Sequence, residues 1–126
     1  MEKKKLTLST LQKTWIFDFD GTLVEHNGYK VGEDKWLPGA KEYLQQIPED
    51  DYVLILTGRE KEARKQTESF LKKHQIRYNE MIFEMPFGER ILFNDNKPSG
   101  LPMSFAVKLD RNEGLKNLEI VYDESL

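Results

Sequence analysis

The chain has 126 residues, of which 38% are hydrophobic and 33% are charged, and its formal net charge is −3. This length predicts a single domain, residues 1–126, with one core, and the negative charge gives no electrostatic reason to expect a nucleic acid or a membrane as partner. The absence of cysteine excludes disulfides, thiolate metal sites and a cysteine nucleophile. No apolar stretch has the length of a signal peptide or a membrane span, so we expect a cytoplasmic protein.

Five short apolar runs predict β-strands. They are Thr14–Asp18, Tyr52–Leu56, Met81–Glu84, Ile91–Asn94 and Phe105–Leu109. Helical patterns occupy residues 37–48 and 60–74. Because strands alternate with helices, we predict an α/β fold, a three-layer Rossmann-like sandwich with a mostly parallel five-stranded sheet. Residues 1–13 form an arm in this prediction, and residues 112–126 form a tail that adds a helix or an edge segment.

The first predicted strand ends in two carboxylates, Asp18 and Asp20, which are followed by Gly21 and Thr22. Side chains two positions apart on a strand point the same way, and at the carboxyl end of a buried parallel strand they point into the active-site crevice. Two like charges there indicate a cation and a chemical role. A strand followed by an Asp-Gly turn is the structural alternative, but the full Asp-x-Asp-Gly-Thr-Leu-Val string is much rarer than Asp-Gly alone.

The second predicted strand ends in Thr57, and Gly58 and Arg59 open the helix that follows. A hydroxyl and the N–H groups at the start of a helix can bind a phosphoryl oxygen. A threonine N-cap explains the same residues. Their place one helix after Asp20 favours the phosphate-binding interpretation.

A third apolar run, Ile91–Asn94, ends in another carboxylate, Asp95, before a polar stretch with a proline turn. A turn built on Asn and Asp is the structural alternative.

The first of these motifs resembles that of the haloacid dehalogenase (HAD) superfamily, most of whose members are Mg-dependent phosphatases, and the other two are similar to its second and fourth motifs. The resemblance implies that Asp18 is the nucleophile and Asp20 the general acid/base. It also implies that the Thr57 motif, with Gly58 and Arg59, binds the phosphoryl group of the substrate.

The same resemblance places Asp95 as the last carboxylate ligand of Mg²⁺. Asp18 and the backbone carbonyl of Asp20 would be the other two protein ligands, and hard oxygen ligands completed by waters and phosphate suit Mg²⁺.

The chain departs from the family pattern where relatives carry a lysine or arginine shortly before the fourth strand, often ahead of a proline. Met85 precedes Pro86 here, and Arg90 begins a predicted strand at the wrong end of the sheet. The phosphoryl group and the aspartate nucleophile still repel each other, so a cation is required. Lys97 is our candidate because it lies two residues beyond Asp95, and a solvated loop lysine is the alternative.

We therefore predict a phosphomonoester hydrolase that acts through an aspartyl-phosphate. The spacing of the motifs leaves no room for a cap domain, and the layout is similar to that of capless phosphatases of capsular polysaccharide and lipopolysaccharide sugar metabolism. This similarity implies a small phosphorylated sugar as substrate and a homo-oligomer whose interface lies near residues 25–36. A non-catalytic regulatory or binding domain and a phosphatase of a macromolecular substrate are the alternatives.

Overall fold

The structure, a computed structural model, describes residues 3–126. Of the predicted arm, residues 1 and 2 therefore lie outside the described residues. The strands, in chain order, are β1 (Lys4–Leu8), β2 (Thr14–Asp18), β3 (Tyr52–Leu56), β4 (Glu80–Ile82) and β5 (Leu118–Tyr122). The α-helices are α1 (Ala40–Gln45) and α2 (Arg64–Lys73), and two short 3₁₀ turns span Gly28–Lys30 and Lys61–Ala63.

The strands form two small parallel sheets. β2, β3 and β4 pair in that order, with Asp18 opposite Leu56 and Leu56 opposite Ile82. β1 pairs separately with β5, in a register that sets Lys4 opposite Leu118. The prediction of an α/β fold with parallel strands is confirmed, but the single five-stranded sheet is wrong.

Both α-helices contribute to the core on one face of the three-stranded sheet. Side chains in register share a face in parallel strands, and the buried residues of this face join those of the helices in one cluster. Its members include Phe17, Val53, Ile55 and Met81 from the strands and Ala40, Leu44, Phe70 and Leu71 from the helices. On the opposite face Ile16 is 49% exposed. The described residues thus show two layers at this sheet and not the predicted three.

Two predicted strands, Ile91–Asn94 and Phe105–Leu109, have no regular secondary structure. Their apolar side chains are largely exposed, with Phe93 at 89% and Ile91 at 75%. The sequence pattern was strand-like, but β propensity takes effect only where a neighbouring strand offers pairing and burial. β2 and β4 are the edges of their sheet, and neither pairs with these two runs.

The ends of the chain are more regular than predicted. β1 lies within the predicted arm, and β5 lies within the predicted tail, where it forms the edge segment that was one of the two alternatives. No helix within residues 3–126 has the length and apolar character needed to cross a bilayer.

Candidate active site

β2 brings Asp18 to the open face of the three-stranded sheet, on the same side as Ile16. The Asp18 side chain is 39% exposed. Its Oδ2 accepts a hydrogen bond from the Thr22 hydroxyl at 3.0 Å, and its Oδ1 accepts one from Nη1 of Arg90 at 2.9 Å. The candidate nucleophile is therefore accessible and lies beside a cation.

The turn after Asp18 places Asp20 at the inner side of the site. The N–H groups of Leu23 and Val24 donate to the carbonyl of Phe19 at 2.9 and 3.2 Å, and this closes the turn tightly. Gly21 adopts φ +83°, a left-handed conformation that favours glycine. The Asp20 side chain is only 15% exposed, so it borders the site without lying free in solvent.

Thr57 fixes one oxygen of Asp20. Its hydroxyl donates to Oδ2 of Asp20 at 2.9 Å and accepts the backbone N–H of Arg59 at 3.1 Å. The N–H of Thr57 continues the ladder by donating to the carbonyl of Ile82 at 3.0 Å. Thr57 is completely buried, so the structure directs its hydroxyl to Asp20 and not to solvent.

Arg59 fixes the other oxygen of Asp20. Its Nε and Nη2 donate to Oδ1 of Asp20 at 3.1 and 2.9 Å. Its Nη1 and Nη2 donate to the two carboxylate oxygens of Asp34 at 2.9 and 2.6 Å, and Nη1 also donates to the Thr67 hydroxyl at 2.8 Å. These contacts use all five N–H groups of a guanidinium, and Arg59 is only 2% exposed.

Two aromatic rings border the Arg59 guanidinium. Its central carbon lies 3.8 Å from the ring centroid of Tyr29 and 4.7 Å from that of Phe19. Burial by itself lowers the pKa of Arg59, but hydrogen bonds to Asp34 and Asp20 raise it, and the net shift is upward. Arg59 is thus held in its charged form inside the protein.

The loop of residues 25–36, near which a homo-oligomer interface was predicted, packs on its own chain. Asp34 and Tyr29 of this loop contact Arg59, and Trp36 of the loop contacts Phe70 of α2 with the ring centroids 5.1 Å apart. Glu33 accepts a hydrogen bond from Lys73 of α2 at 2.8 Å. Burial is the largest cause of the raised pKa of Tyr29, against which Arg59 acts to lower it.

The structure brings some of the predicted site residues together and leaves others apart. Asp20, Thr57 and Arg59 form one hydrogen-bonded group beside Asp18. Between Thr57 and Arg59, Gly58 lies so close to the Phe87 ring that a Cβ there would be 2.6 Å from a ring carbon. The burial of Arg59 weighs against the predicted contact between its guanidinium and substrate.

Asp95 and Lys97 lie in the irregular stretch that follows β4, and both are exposed. Within residues 3–126 no ion pair joins Lys97 to Asp18, and Arg90 takes that position instead. In the described part of the chain, no group of three or more histidine or acidic side chains is placed to hold a metal ion, and Asp95 has no ordered strand that would bring it to Asp18. The physical reason is the missing strand Ile91–Asn94, which was to carry Asp95 and Lys97 to the sheet edge.

A smaller oxygen set remains at the site for a divalent cation. Mg²⁺ is often held by one or two carboxylates, with waters and substrate phosphate completing the octahedron. The Asp18 carboxylate and the backbone carbonyl of Asp20 are hard oxygen donors of this kind, and no hydrogen-bond donor among residues 3–126 reaches that carbonyl. These two groups are the ones that would hold Mg²⁺ without Asp95.

Sequence reasoning missed two residues of the site. Arg90 was set aside because it was predicted to begin a strand at the wrong end of the sheet, and without that strand its side chain reaches Asp18. Asp34 gave no signal beyond being one of 22 acidic residues. The need for Asp34 becomes clear only from the structure, because Arg59 is buried there and a buried arginine requires carboxylate partners.

No family model matches the chain, and no curated protein matches it. The solved chains to which it is similar include one from the Pnkp1/Rnl/Hen1 complex and one from the Pnkp1/Rnl/Hen1 RNA repair complex. Each is 31% identical with a TM-score of 0.51, and the matches cover 65% and 67% of this chain. The chain spans only 31% and 29% of the length of those chains.

Proposed function

We propose that the protein is a Mg-dependent phosphomonoester hydrolase of the HAD type that acts through an aspartyl-phosphate. The observation that carries the proposal is the pairing of two differently held carboxylates. Asp18 is accessible beside Arg90, whereas Asp20 is held by Thr57 and Arg59 at the inner side of the site. This division suits a nucleophile and a proton-transfer group.

In the first step an Asp18 oxygen attacks phosphorus, and the bond between phosphorus and the leaving-group oxygen breaks as the Asp20 carboxyl gives its proton to that oxygen. In the second step the Asp20 carboxylate takes a proton from water, whose oxygen bonds to phosphorus and releases Asp18. Arg90 offsets the charge of the phosphoryl group beside Asp18. Mg²⁺, when bound, would draw charge from the phosphoryl oxygens.

The first substrate candidate is a small phosphorylated sugar, in cytoplasmic polysaccharide biosynthesis. The second is a phosphate at the end of a nucleic acid strand, and a specific observation favours it. One of the similar solved chains is part of an RNA repair complex. If the substrate is a nucleic acid end, we therefore also expect this chain to bind protein partners in such an assembly. The net charge of −3 weighs against nucleic acid.

The test is a substrate panel with and without Mg²⁺. The purified chain is assayed on p-nitrophenyl phosphate, on sugar phosphates and on short RNA with a 3′- or 5′-terminal phosphate. We expect turnover that EDTA abolishes and Mg²⁺ restores. Faster hydrolysis of a sugar phosphate or of an RNA end identifies the substrate class. If no ester is hydrolysed, a non-catalytic binding domain becomes the better proposal.

A homo-oligomer that covers the open site near residues 25–36 belongs to the sugar-phosphate proposal, because exclusion of bulk water favours phosphoryl transfer. Light scattering at micromolar concentration tests it. A mass of one chain together with full activity on a small ester contradicts it.

A further inference from the structure

Arg59 binds a second carboxylate besides that of Asp20, and it belongs to Asp34. Asp34 is 7% exposed and comes from the loop of residues 25–36, outside every motif in the sequence. Both of its oxygens accept hydrogen bonds from the Arg59 guanidinium, at 2.9 and 2.6 Å. Arg59 in turn donates from Nε and Nη2 to Asp20.

This geometry fixes the rotation of a planar group. A guanidinium presents its five N–H groups in a rigid fork, so the two bonds to Asp34 determine which edge of the fork faces Asp20. The guanidinium also donates a hydrogen bond to the Thr67 hydroxyl at 2.8 Å and packs against the Tyr29 ring. These two contacts further restrict its movement. Without Asp34 the guanidinium would keep its attraction to Asp20 but lose the contact that sets its angle.

We propose that Asp34 is a positioning residue of the active site, which acts through Arg59 to hold the Asp20 carboxyl in line with the leaving-group oxygen of the substrate. The inference rests on the proposed function and deepens it. Asp34 touches no reacting atom, and its effect reaches the substrate only through Asp20.

The consequence concerns the bond that breaks in the first step. As the phosphorus–oxygen bond breaks, an alkoxide needs the proton of Asp20, whereas a dinitrophenolate leaves well without one. A poorly aimed Asp20 therefore slows alkyl phosphates and spares 2,4-dinitrophenyl phosphate. A general loss of structure would slow both esters alike.

The experiment compares Asp34→Asn with wild type on glycerol phosphate and on 2,4-dinitrophenyl phosphate. The measured quantity is kcat/KM, which reports the steps up to transfer of the phosphoryl group to Asp18. General acid catalysis contributes roughly 10²–10⁴-fold, so we expect a loss of about 10-fold or more on glycerol phosphate and of less than about 3-fold on the dinitrophenyl ester.

Glu33→Gln is the matched control. Glu33 is the preceding residue of the same loop and contacts Lys73 of α2 at 2.8 Å, but it lies on the surface. If anchoring of the loop were all that mattered, this variant would lose activity as Asp34→Asn does. We expect it to match wild type on both esters.

Equal losses on the two esters, or no loss on either, overturn the positioning role. If circular dichroism shows that Asp34→Asn is unfolded, Asp34→Glu takes its place, because it keeps the charge but moves the carboxylate. A loss of kcat/KM on glycerol phosphate and not on the dinitrophenyl ester then supports the positioning role. Wild-type protein that hydrolyses neither ester refutes the proposed function instead, and it removes the premise of the inference.

Discussion

Asp18 combines exposure with a cationic neighbour, and this makes it the residue on which the proposed reaction most directly depends. We expect Asp18→Asn to lower kcat by at least about 10³-fold, because it removes the nucleophile of a covalent mechanism. The fold should persist, since an amide oxygen can still accept the bond from Thr22 or Arg90. Steady-state kinetics and circular dichroism measure the two effects.

The control for this substitution is Asp50→Asn, which changes an exposed carboxylate in the turn before β3. It should keep wild-type activity. Near-native turnover by the Asp18→Asn protein would contradict the assignment of the nucleophile.

Arg90 and Lys97 compete for the role of the phosphate-neutralising cation. The contact between Arg90 and Asp18 at 2.9 Å favours Arg90, so Arg90→Gln should lower kcat/KM by about 10²-fold, the effect of removing one preorganised donor. Lys97→Ala should stay within about twofold of wild type because no ion pair among residues 3–126 joins Lys97 to Asp18. The reverse order of effects would restore the prediction made from the sequence.

For individual residues, the sequence indicated which side chains have a chemical role better than it indicated which groups they contact. Asp18, Asp20 and Thr57 stand out because charged or hydroxyl residues rarely follow buried apolar runs without a reason. The partners of Arg59 could not be predicted, since Asp34 lies in an irregular loop where no periodicity fixes the direction of a side chain.

Among the elements, β2, β3, α1 and α2 were predictable because their apolar spacing is regular over several residues. β4 lies one residue earlier than predicted and is shorter. The irregular stretch after β4 was not predictable, because local propensity cannot specify whether an edge strand accepts a new neighbour.

The turn at Gly114, before β5, packs against Pro38, which lies two residues before α1, and the N–H of Leu115 donates to the Pro38 carbonyl at 2.9 Å. Gly114 has φ +79°, and a Cβ there would lie 2.3 Å from the carbonyl oxygen of Pro38. We expect Gly114→Ala to lower the free energy of unfolding by roughly 1–3 kcal/mol, because the backbone must shift or remain strained. Urea unfolding measures the change.

Gly88→Ala is the comparison for this turn, since a Cβ at Gly88 would meet no atom within 4 Å. It should alter the free energy of unfolding by less than about 0.5 kcal/mol. A Gly114→Ala protein as stable as this control would show that the turn relaxes freely.

For the molecule as a whole, we expect the ionisation of Tyr43 to lower the free energy of unfolding at alkaline pH. Burial raises the pKa of Tyr43 to about 12 from its ordinary value of 10.0. Below pH 10 the phenol is neutral in both states. Between pH 10 and 12 the unfolded chain loses the proton and the folded chain retains it, so the free energy of unfolding falls as the pH rises.

Tyr43→Phe should reduce the decrease in the free energy of unfolding between pH 10 and 12, because phenylalanine does not ionise. The Tyr43 hydroxyl is buried without a hydrogen-bond partner among the described residues, so its removal should also leave stability at pH 8 unchanged or raise it by up to about 1 kcal/mol. Urea midpoints at pH 8 and pH 11 give both quantities. An identical decline in the two proteins would show that Tyr43 does not titrate as its burial indicates.

The pairing of β1 with β5 sets an order for the folding of the chain during synthesis. β2, β3 and β4 are complete once residue 82 has left the ribosome, whereas β1 must wait for residues 118–122. Closing so long a loop is entropically costly, and contacts between distant positions form slowly. Throughout that interval β1, which emerges before the other four described strands, keeps an unpaired backbone edge available to chaperones or to a neighbouring nascent chain.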